Sequence, residues 1–539
     1  MGQAEHMPEH LDAVVIGAGI AGLYGLYRLR EQGLKVLAFE AGQSVGGTWY
    51  WNRYPGARVD SQAHVYQYWF SEALAKKWRW SERFPAQPET ERYLNFVADE
   101  CDLRKDIRFN TRITAAHFDD ASQRWLITTE QGARFSAQFL LASTGGLSAP
   151  LVPPFPGHER FKGQVVHTAR WPKEGVALAG KRVGVVGTGA TGIQVIQTIA
   201  GEVGHLTVFQ RTANWTIPMR NPKLTDADRQ DFHARFHELK ARVASTFAGF
   251  DFDFSERSFV DMSPEERQTA METLWADGSL AFWVGSFADV FFSAEVAREF
   301  SRFVEERIRA RVKDPQVADL LVPRDHEFGT RRVPLETNYY EAYNRDNVEL
   351  VDVKQNKIAA LTENGVQLAD GSEYPLDILI LATGFDAGTG ALTRIDIRGR
   401  GGVSLKEQWG RDIRTLMGLQ IHGYPNLFTT MAPFAPAAAF CNVPTCLQQQ
   451  VDWISDCIRY VREKGGKTIE ATAEAEEQWL QHHEEVSRPT LVANTDSWYT
   501  GANVEGKQRR MLSYLGGQQN YRAACEAVKA KGYEGFAIA

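Results

Sequence analysis

Residues 11–22 read LDAVVIGAGIAG, and this stretch decides the fold. Leu11 to Ile16 form a short apolar run closed by Gly17, and from Ile20 to Gln32 the residues Ile20, Leu23, Leu26, Tyr27 and Leu29 recur at helical spacing. Lys35 to Glu40, KVLAFE, is β-branched and aromatic enough for a second, parallel strand. The turn between strand and helix, Gly17-Ala18-Gly19-Ile20-Ala21-Gly22, has the G-x-G-x-x-G spacing at which missing side chains let a pyrophosphate reach backbone amides at a helix N-terminus. Such a turn alone could serve packing only. Glu40, 23 positions after Gly17 at the end of the second strand, sharpens the reading, because a carboxylate there accepts hydrogen bonds from a ribose.

The pattern returns at residues 181–192, KRVGVVGTGATG, followed by the run Ile193 to Ile199 and by LTVFQ from Leu206 to Gln210. Gly187, Thr188, Gly189, Ala190, Thr191 and Gly192 repeat the glycine turn, but the matching second strand ends in Gln210-Arg211-Thr212 with no acid. A carboxylate there would repel a 2′-phosphate, whereas Arg211 attracts one by charge-assisted hydrogen bonds and Thr212 adds a hydroxyl. The second site is therefore expected to prefer NADP(H), unless Arg211 is merely a surface residue. FAD in the first fold and NADPH in the second make a flavoprotein in which hydride passes from nicotinamide to flavin. The expected fold class is α/β, with two Rossmann-like dinucleotide-binding domains and a helical insertion.

Working outward, Arg112 to Phe139 alternates like strands around a Gln131-Gly132 turn. Val152 to Pro156, VPPFP, cannot continue a helix or a central strand and reads as an inter-domain strap. Leu224 to Leu321 is charged and helix-favouring, with Val296, Phe300, Phe303, Val304 and Ile308 at helical spacing. Strand signals resume at Val348 to Val353 and at Leu376 to Leu381, after which the chain returns to the first domain. The expected organisation is an FAD-binding domain of residues 1–150 and 385–539, an NADP-binding domain of 151–222 and 334–384, and a helical insertion of 223–333.

Composition narrows the function classes. The 539 residues carry 60 Lys plus Arg against 67 Asp plus Glu, and this net charge of −7, without a long basic block, speaks against nucleic acid or an anionic membrane as partner. Five scattered cysteines do not look like a secreted disulfide framework. The start MGQAEHMPEH shows no targeting segment, no apolar run is long enough to span a bilayer, and a cytoplasmic protein is expected. No metal site is expected.

A disulfide reductase would need a cysteine pair near the flavin, and Cys441 and Cys446 stand at a C-x-x-x-x-C spacing. In such enzymes the pair follows the first nucleotide unit, and here the matching region, Val45 to Asp60, has no cysteine. That region contains GGTWYWNRYPGARVD at 46–60, and FKGQVVHTARWP follows at 161–172. Together they resemble the fingerprint pair of type I Baeyer-Villiger monooxygenases, whose second member is F-x-G-x-x-x-H-x-x-x-W-P. Residues 382–386, ATGFD, and 497–503, SWYTGAN, are also similar to family segments, so the resemblance covers nearly the whole chain. It implies that NADPH reduces FAD, that O2 adds at flavin C4a, and that the resulting peroxide attacks a ketone to give an ester or lactone. A fixed cation and a closed, dry pocket must keep that peroxide deprotonated.

The resemblance also implies roles. Arg332, the second of the paired arginines in FGTRR at 328–332, is the expected catalytic cation, with Asp60 orienting it and contacting the nicotinamide end of NADP. Arg331 would join Arg211 at the 2′-phosphate; the family more often has Lys there. Trp498 would come down on NADP from a loop, Thr490 to Arg510, that orders with the cofactor, and Arg58 and Gln194 complete the expected NADP set. For FAD the set is the first glycine turn with Ala21, Glu40, Gly47, Thr48, Trp49, Asp60, Tyr66, Asn442 and Val443. Residues 431–443, MAPFAPAAAFCNV, match a pocket-lining stretch, with Phe434, Ala437 and Phe440 as substrate contacts and Cys441 as packing. His167 is read as structural, in the strap between domains. The other readings carried are a flavin monooxygenase acting on nitrogen or sulfur, and a non-catalytic FAD/NADP redox sensor.

Overall fold

The structure, a computed structural model, describes residues 9–437 and 440–539. The N-terminal residues 1–8, where no targeting segment is expected, and Ala438 and Ala439 of the pocket stretch lie outside the described residues.

Glu9–Ile16 is the strand read from the sequence, and it pairs in parallel with Val36–Phe39 on one side and Arg134–Ala142 on the other. Its last four residues are buried on both faces, which is why they alternate with nothing polar. The full sheet runs Asp396–Arg398, Ile113–Asp119, Arg124–Thr129, Arg134–Ala142, Glu9–Ile16, Val36–Phe39, Ile107–Arg108, with Leu427–Thr429 also pairing with Arg134–Ala142. The chain thus returns to the first sheet after the second nucleotide unit.

The second sheet is parallel throughout, in the order Val348–Asp352, His205–Gln210, Arg182–Val186, Ile378–Leu381, Gln164–His167. Its edge strand Gln164–His167 was not anticipated as a strand; it carries the first half of the second fingerprint to the carboxyl end of the sheet. A small antiparallel sheet, Ile358–Leu361, Gly365–Leu368 and Glu373–Pro375, fills the crossover between Val348–Asp352 and Ile378–Leu381.

In chain order between the strands His205–Gln210 and Val348–Asp352 of the second sheet, the insertion is helical as read: Asp226–Ala234, Phe236–Ser245, Pro264–Asp277, Ala294–Arg311 and Pro315–Leu321. Four of these five helices begin where a side chain satisfies a first-turn amide. Thr225 and Ser263 make capping boxes with Asp228 and Glu266, and Ser293 and Asp314 cap the last two. Val296, Phe300, Phe303, Val304 and Ile308 are all buried on one face of Ala294–Arg311, each contributing about 1.5–3 kcal/mol of apolar burial. Among the described residues no helix is long and apolar enough to cross a membrane.

Candidate active site

The first and last glycines of both turns are sterically obligatory. A Cβ on Gly17 would stand 2.5 Å from the Ser143 carbonyl oxygen, and one on Gly22 would stand 1.9 Å from the Gly17 oxygen, where helix and strand close on each other. Gly19 caps Ile20–Glu31, whose first turn holds no acid, so the helix N-terminus is left positive for an anion. Ala21 is buried in that turn. In the second unit Gly187 and Gly192 are confined in the same way, to 2.5 Å from Ala382 O and 2.0 Å from Gly187 O. A Cβ on Gly189 would meet no atom of the described residues within 4 Å, so this glycine faces open space. Ala190 and Thr191 open the helix Ala190–Ile199, and Thr188 Oγ1 donates to the Thr212 carbonyl at 2.8 Å, tying the turn to the end of its second strand.

Glu40 does more than the sequence suggests. Its Oε2 accepts from the Ala18 amide at 2.8 Å and its Oε1 from the Gly42 amide at 2.7 Å, so the acid clamps the glycine turn while each oxygen keeps further acceptor capacity. Burial pushes its pKa up, against the pull of those two amides.

The first fingerprint runs from this turn towards the second nucleotide unit. Gly47, at φ +53°, comes within van der Waals range of Gly19, and Thr48–Trp51 is a single helical turn. Trp49 Nε1 donates to the Tyr66 hydroxyl at 3.0 Å, so the two expected flavin aromatics stand together. Gly56, at φ +82°, is pressed so close to the helix Ala190–Ile199 that a Cβ would sit 2.2 Å from Thr198 Oγ1. Gln194 bridges the same seam, donating to Arg58 O at 3.1 Å and accepting from the Tyr54 hydroxyl at 2.9 Å. Tyr54 has no counterpart among the residues singled out from the sequence. Arg58 differs from expectation: its Nη1 is held by Glu82 and by the Phe84 carbonyl, both at 2.6 Å, which anchors the fingerprint rather than leaving that nitrogen for a ligand.

The fingerprint ends at the central pair. Arg332 Nη2 lies 2.7 Å from Asp60 Oδ2, with 18% and 9% of the two side chains exposed, and Arg332 Nη1 donates to the Val333 carbonyl at 2.7 Å. The guanidinium sits over the Trp283 ring, 5.4 Å from its centroid. Burial raises the Asp60 pKa, while Arg332, the Leu335 amide and Arg58 pull it down, and its Oδ1 is buried without a partner. Arg331 turns away to Asp325, 3.2 Å off, a carboxylate that His326 holds well below its usual range. Arg211 is exposed and, among the described residues, makes no side-chain hydrogen bond or ion pair.

Around Arg332 the structure assembles aromatics that the sequence does not bring together. Trp283, fixed by a 3.1 Å bond from Nε1 to the Gly329 carbonyl, packs 5.6 Å from Phe440, which contacts Phe291 at 5.8 Å and Tyr499 at 5.4 Å. Of the three expected substrate contacts only Phe440 belongs here. Phe434 is a correction: at φ +73° its ring is fully buried in the core of the first domain, 4.5 Å from His483. Ala437 is half-buried, its amide bonded to Ser513 Oγ at 3.1 Å. Asn442 caps the long helix Val443–Glu463; its Nδ2 donates to Val65 O at 2.7 Å and to Thr445 Oγ1 at 2.9 Å, leaving Oδ1 buried and unpaired. Val443, half-buried, opens that helix against the core of the first domain. Cys441, read as packing, instead has its sulfur paired with that of Cys446 across the first turn of that helix, with the Cα atoms 6.3 Å apart.

The remaining motifs tie the halves together. His167 accepts from the Ala169 amide at Nδ1 (3.0 Å) and donates from Nε2 to the Leu151 carbonyl (3.1 Å), a neutral tautomer whose pKa burial lowers, in keeping with a structural role. The Trp498 loop is pinned by Lys507, 2.7 Å from Asp386, and by Asn503 Nδ2 on Phe385 O at 2.8 Å. Trp498 itself is half-buried, 4.1 Å from the Tyr499 ring. Open space at Gly189 and orphaned acceptors on Asn442 and Asp60 are what bound nucleotides would complete, so the residues present fit FAD and NADP(H).

Comparison with known proteins agrees with this geometry. A family model described as flavin-binding monooxygenase-like matches residues 12–246. The chain is 56% identical over 528 residues to acetone monooxygenase (methyl acetate-forming) of Gordonia sp. strain TY-5, covering 98% of this chain and 99% of that protein. It is 42% identical over 524 residues to a Baeyer-Villiger monooxygenase of Pseudooceanicola batsensis, covering 97% and 95%. Among solved structures, OTEMO in complex with FAD and NADP is similar with a TM-score of 0.93 at 41% identity, covering 98% of this chain and 99% of that one.

Proposed function

The chain belongs to the Baeyer-Villiger monooxygenases, and on that premise we propose that it oxidises small ketones at the Arg332–Asp60 pair. It is an FAD- and NADPH-dependent enzyme that uses O2 to convert ketones to esters or lactones. Bound FAD, once reduced by NADPH, supplies the electrons that activate O2.

The observation that carries the site assignment is the buried Arg332–Asp60 contact set against the Trp283 ring. One N–H on each Nη of Arg332 is committed, to Val333 and to Asp60, which fixes the guanidinium plane and leaves its other donors for oxygen. A guanidinium keeps its protons at working pH, so Arg332 stabilises the negative charge that develops during oxygen insertion without quenching it. Asp60 holds Arg332 with Oδ2 and presents Oδ1 to the nicotinamide end of NADP. Residues 1–150 and 385–539 would hold FAD through the first glycine turn, Glu40, Trp49, Tyr66 and Asn442. Residues 151–222 and 334–384 would hold NADP(H) through the second turn, Gln194 and Arg211, with Arg331 reaching in from the insertion at 223–333 and Trp498 from its loop. A cytoplasmic location is supported by the sparse cysteines alone.

Small ketones are supported by the large buried rings beside Arg332, Trp283, Phe440 and Phe291, and by the acetone named for a relative that shares 56% of its residues. The test is NADPH-dependent turnover of acetone, butanone, cyclohexanone and acetophenone, with ester or lactone identified by mass spectrometry. The short ketones should give the highest kcat/KM; preference for acetophenone would overturn the size assignment, and no ester from any ketone would overturn the activity.

A further inference from the structure

Tyr499 carries a polar group that nothing among the described residues uses. Its side chain is 2% exposed, its hydroxyl has no hydrogen-bond partner, and its ring stands 5.4 Å from Phe440 in the aromatic surround of Arg332. The backbone of Tyr499 is held firmly, its amide on Ser497 Oγ at 3.1 Å and its carbonyl accepting from Leu512 N at 2.8 Å, so the ring is positioned rather than loose. Burial pushes its pKa far up, against the pull of the Arg332 charge, so the hydroxyl keeps its proton. A buried hydroxyl left unpaired is costly, and such groups in native proteins have partners. The side chains of Arg332, Trp283, Phe440 and Phe291 offer no acceptor, so the proton of the hydroxyl is left for an oxygen acceptor brought in by a ligand.

We propose that the Tyr499 hydroxyl donates a hydrogen bond to the carbonyl oxygen of the ketone, placing the carbonyl between Tyr499 and the Arg332 guanidinium. The proposal rests on the ketone-oxidising reading. Tyr499 thereby selects for a carbonyl, while the surrounding rings select for size. Because a neutral donor on a carbonyl oxygen also draws electron density from its carbon, the same contact favours attack there.

The experiment compares butanone with ethyl methyl sulfide, which matches it in size but has no carbonyl oxygen, in wild type and in Tyr499→Phe. Loss of one neutral hydrogen bond should raise the KM for butanone and lower its kcat/KM by about 5- to 10-fold. The ratio of butanone to sulfide turnover should fall by the same factor, with the KM for NADPH moving less than about twofold. An equal fall for both substrates would make the hydroxyl merely structural, and a rise confined to the NADPH KM would assign it to the nicotinamide. Unchanged butanone kinetics would mean that its partner is water only. Each of these three overturns the proposal. If wild type oxygenates the sulfide but no ketone, the ketone reading fails first, and that outcome is recognisable without the variant. Flavin content and the thermal midpoint of Tyr499→Phe, compared with wild type, establish that the variant is folded.

Discussion

Arg332→Ala separates what the central pair does for stability from what it does for chemistry. In the wild type, Asp60 has 9% of its side chain exposed and meets Arg332 at 2.7 Å. Breaking a buried pair by removing one partner costs about 3–5 kcal/mol, and the 18% exposure of Arg332 together with the remaining Leu335 amide argues for the low end, about 3 kcal/mol. For a domain of this kind that is an unfolding midpoint lower by roughly 6–12 °C. The loss depends on pH. Burial already holds the Asp60 carboxyl above its ordinary value, and without Arg332 it rises further. A carboxyl with a raised folded value binds more protons in the native state, so its stability is fully present below the unfolded value of about 3.9 and is lost as pH rises through the folded value. The variant should therefore lose stability more steeply than wild type as pH rises above the unfolded value of about 3.9. Adding Asp60→Asn removes the stranded charge and should recover most of the midpoint, yet ketone oxygenation should stay at least about 10²–10³-fold below wild type, because the cation is still missing. Flavin bleaching by NADPH under anaerobic conditions should survive in Arg332→Ala. The assays are thermal scans at several pH values, stopped-flow reduction and ester quantification. Wild-type ester formation by either variant would refute the role of Arg332, and a flat difference across pH would refute the stranded-carboxylate argument.

Arg211→Ala should raise the KM for NADPH by about 10- to 100-fold and that for NADH little, since a charge-assisted contact to a 2′-phosphate is worth roughly 1.5–3 kcal/mol; equal shifts would remove Arg211 from that site. Phe440→Ala removes the ring linking Trp283, Phe291 and Tyr499, so kcat/KM for cyclohexanone should rise relative to butanone, and an unchanged ratio would take Phe440 out of the pocket wall. Mild oxidation should couple Cys441 to Cys446, leaving Cys101, Cys457 and Cys525 as the three thiols that alkylate after denaturation; labelling of all five cysteines would refute the pairing. Gly56→Val should prevent stable assembly, since at φ +82° its side chain would drive into Thr198 and Gln194; an unfolding midpoint equal to wild type would show that the seam yields.

What was legible in the sequence is what is local. A Cβ on Gly22 collides with Gly17 five residues back, so the spacing of these two glycines announces the turn, and Glu40 follows at a distance set by one helix and one strand. The heptad-like recurrence from Val296 to Ile308 is likewise a property of one helix. The edge strand Gln164–His167 was missed because it is four residues long and its partner Ile378–Leu381 lies far along the chain, where no periodicity within either segment can signal the pairing. Nothing near Arg58 in sequence reveals that Glu82 holds its Nη1, and Phe434 was given to the pocket because a positive φ, invisible in composition, turns its ring into the core.

The reacting centre is the extreme of this rule. Asp60, Trp283, Arg332, Phe440 and Tyr499 come from five separate stretches: the fingerprint, the helical part of the insertion, the insertion's last residues, the pocket-lining stretch and the C-terminal loop. No spacing relates them, so the sequence names the charged pair only through family resemblance and leaves the walls unassigned. The physical consequence is a division of labour. The cofactor turns tolerate almost no change because backbone packing fixes them. The rings of the walls meet one another through side-chain contacts, and a substitution at Phe440 or Tyr499 costs packing or one hydrogen bond and leaves both nucleotide sites intact. Substrate preference can therefore shift within this fold by changes at a few unlinked positions while the hydride and oxygen chemistry stays constant.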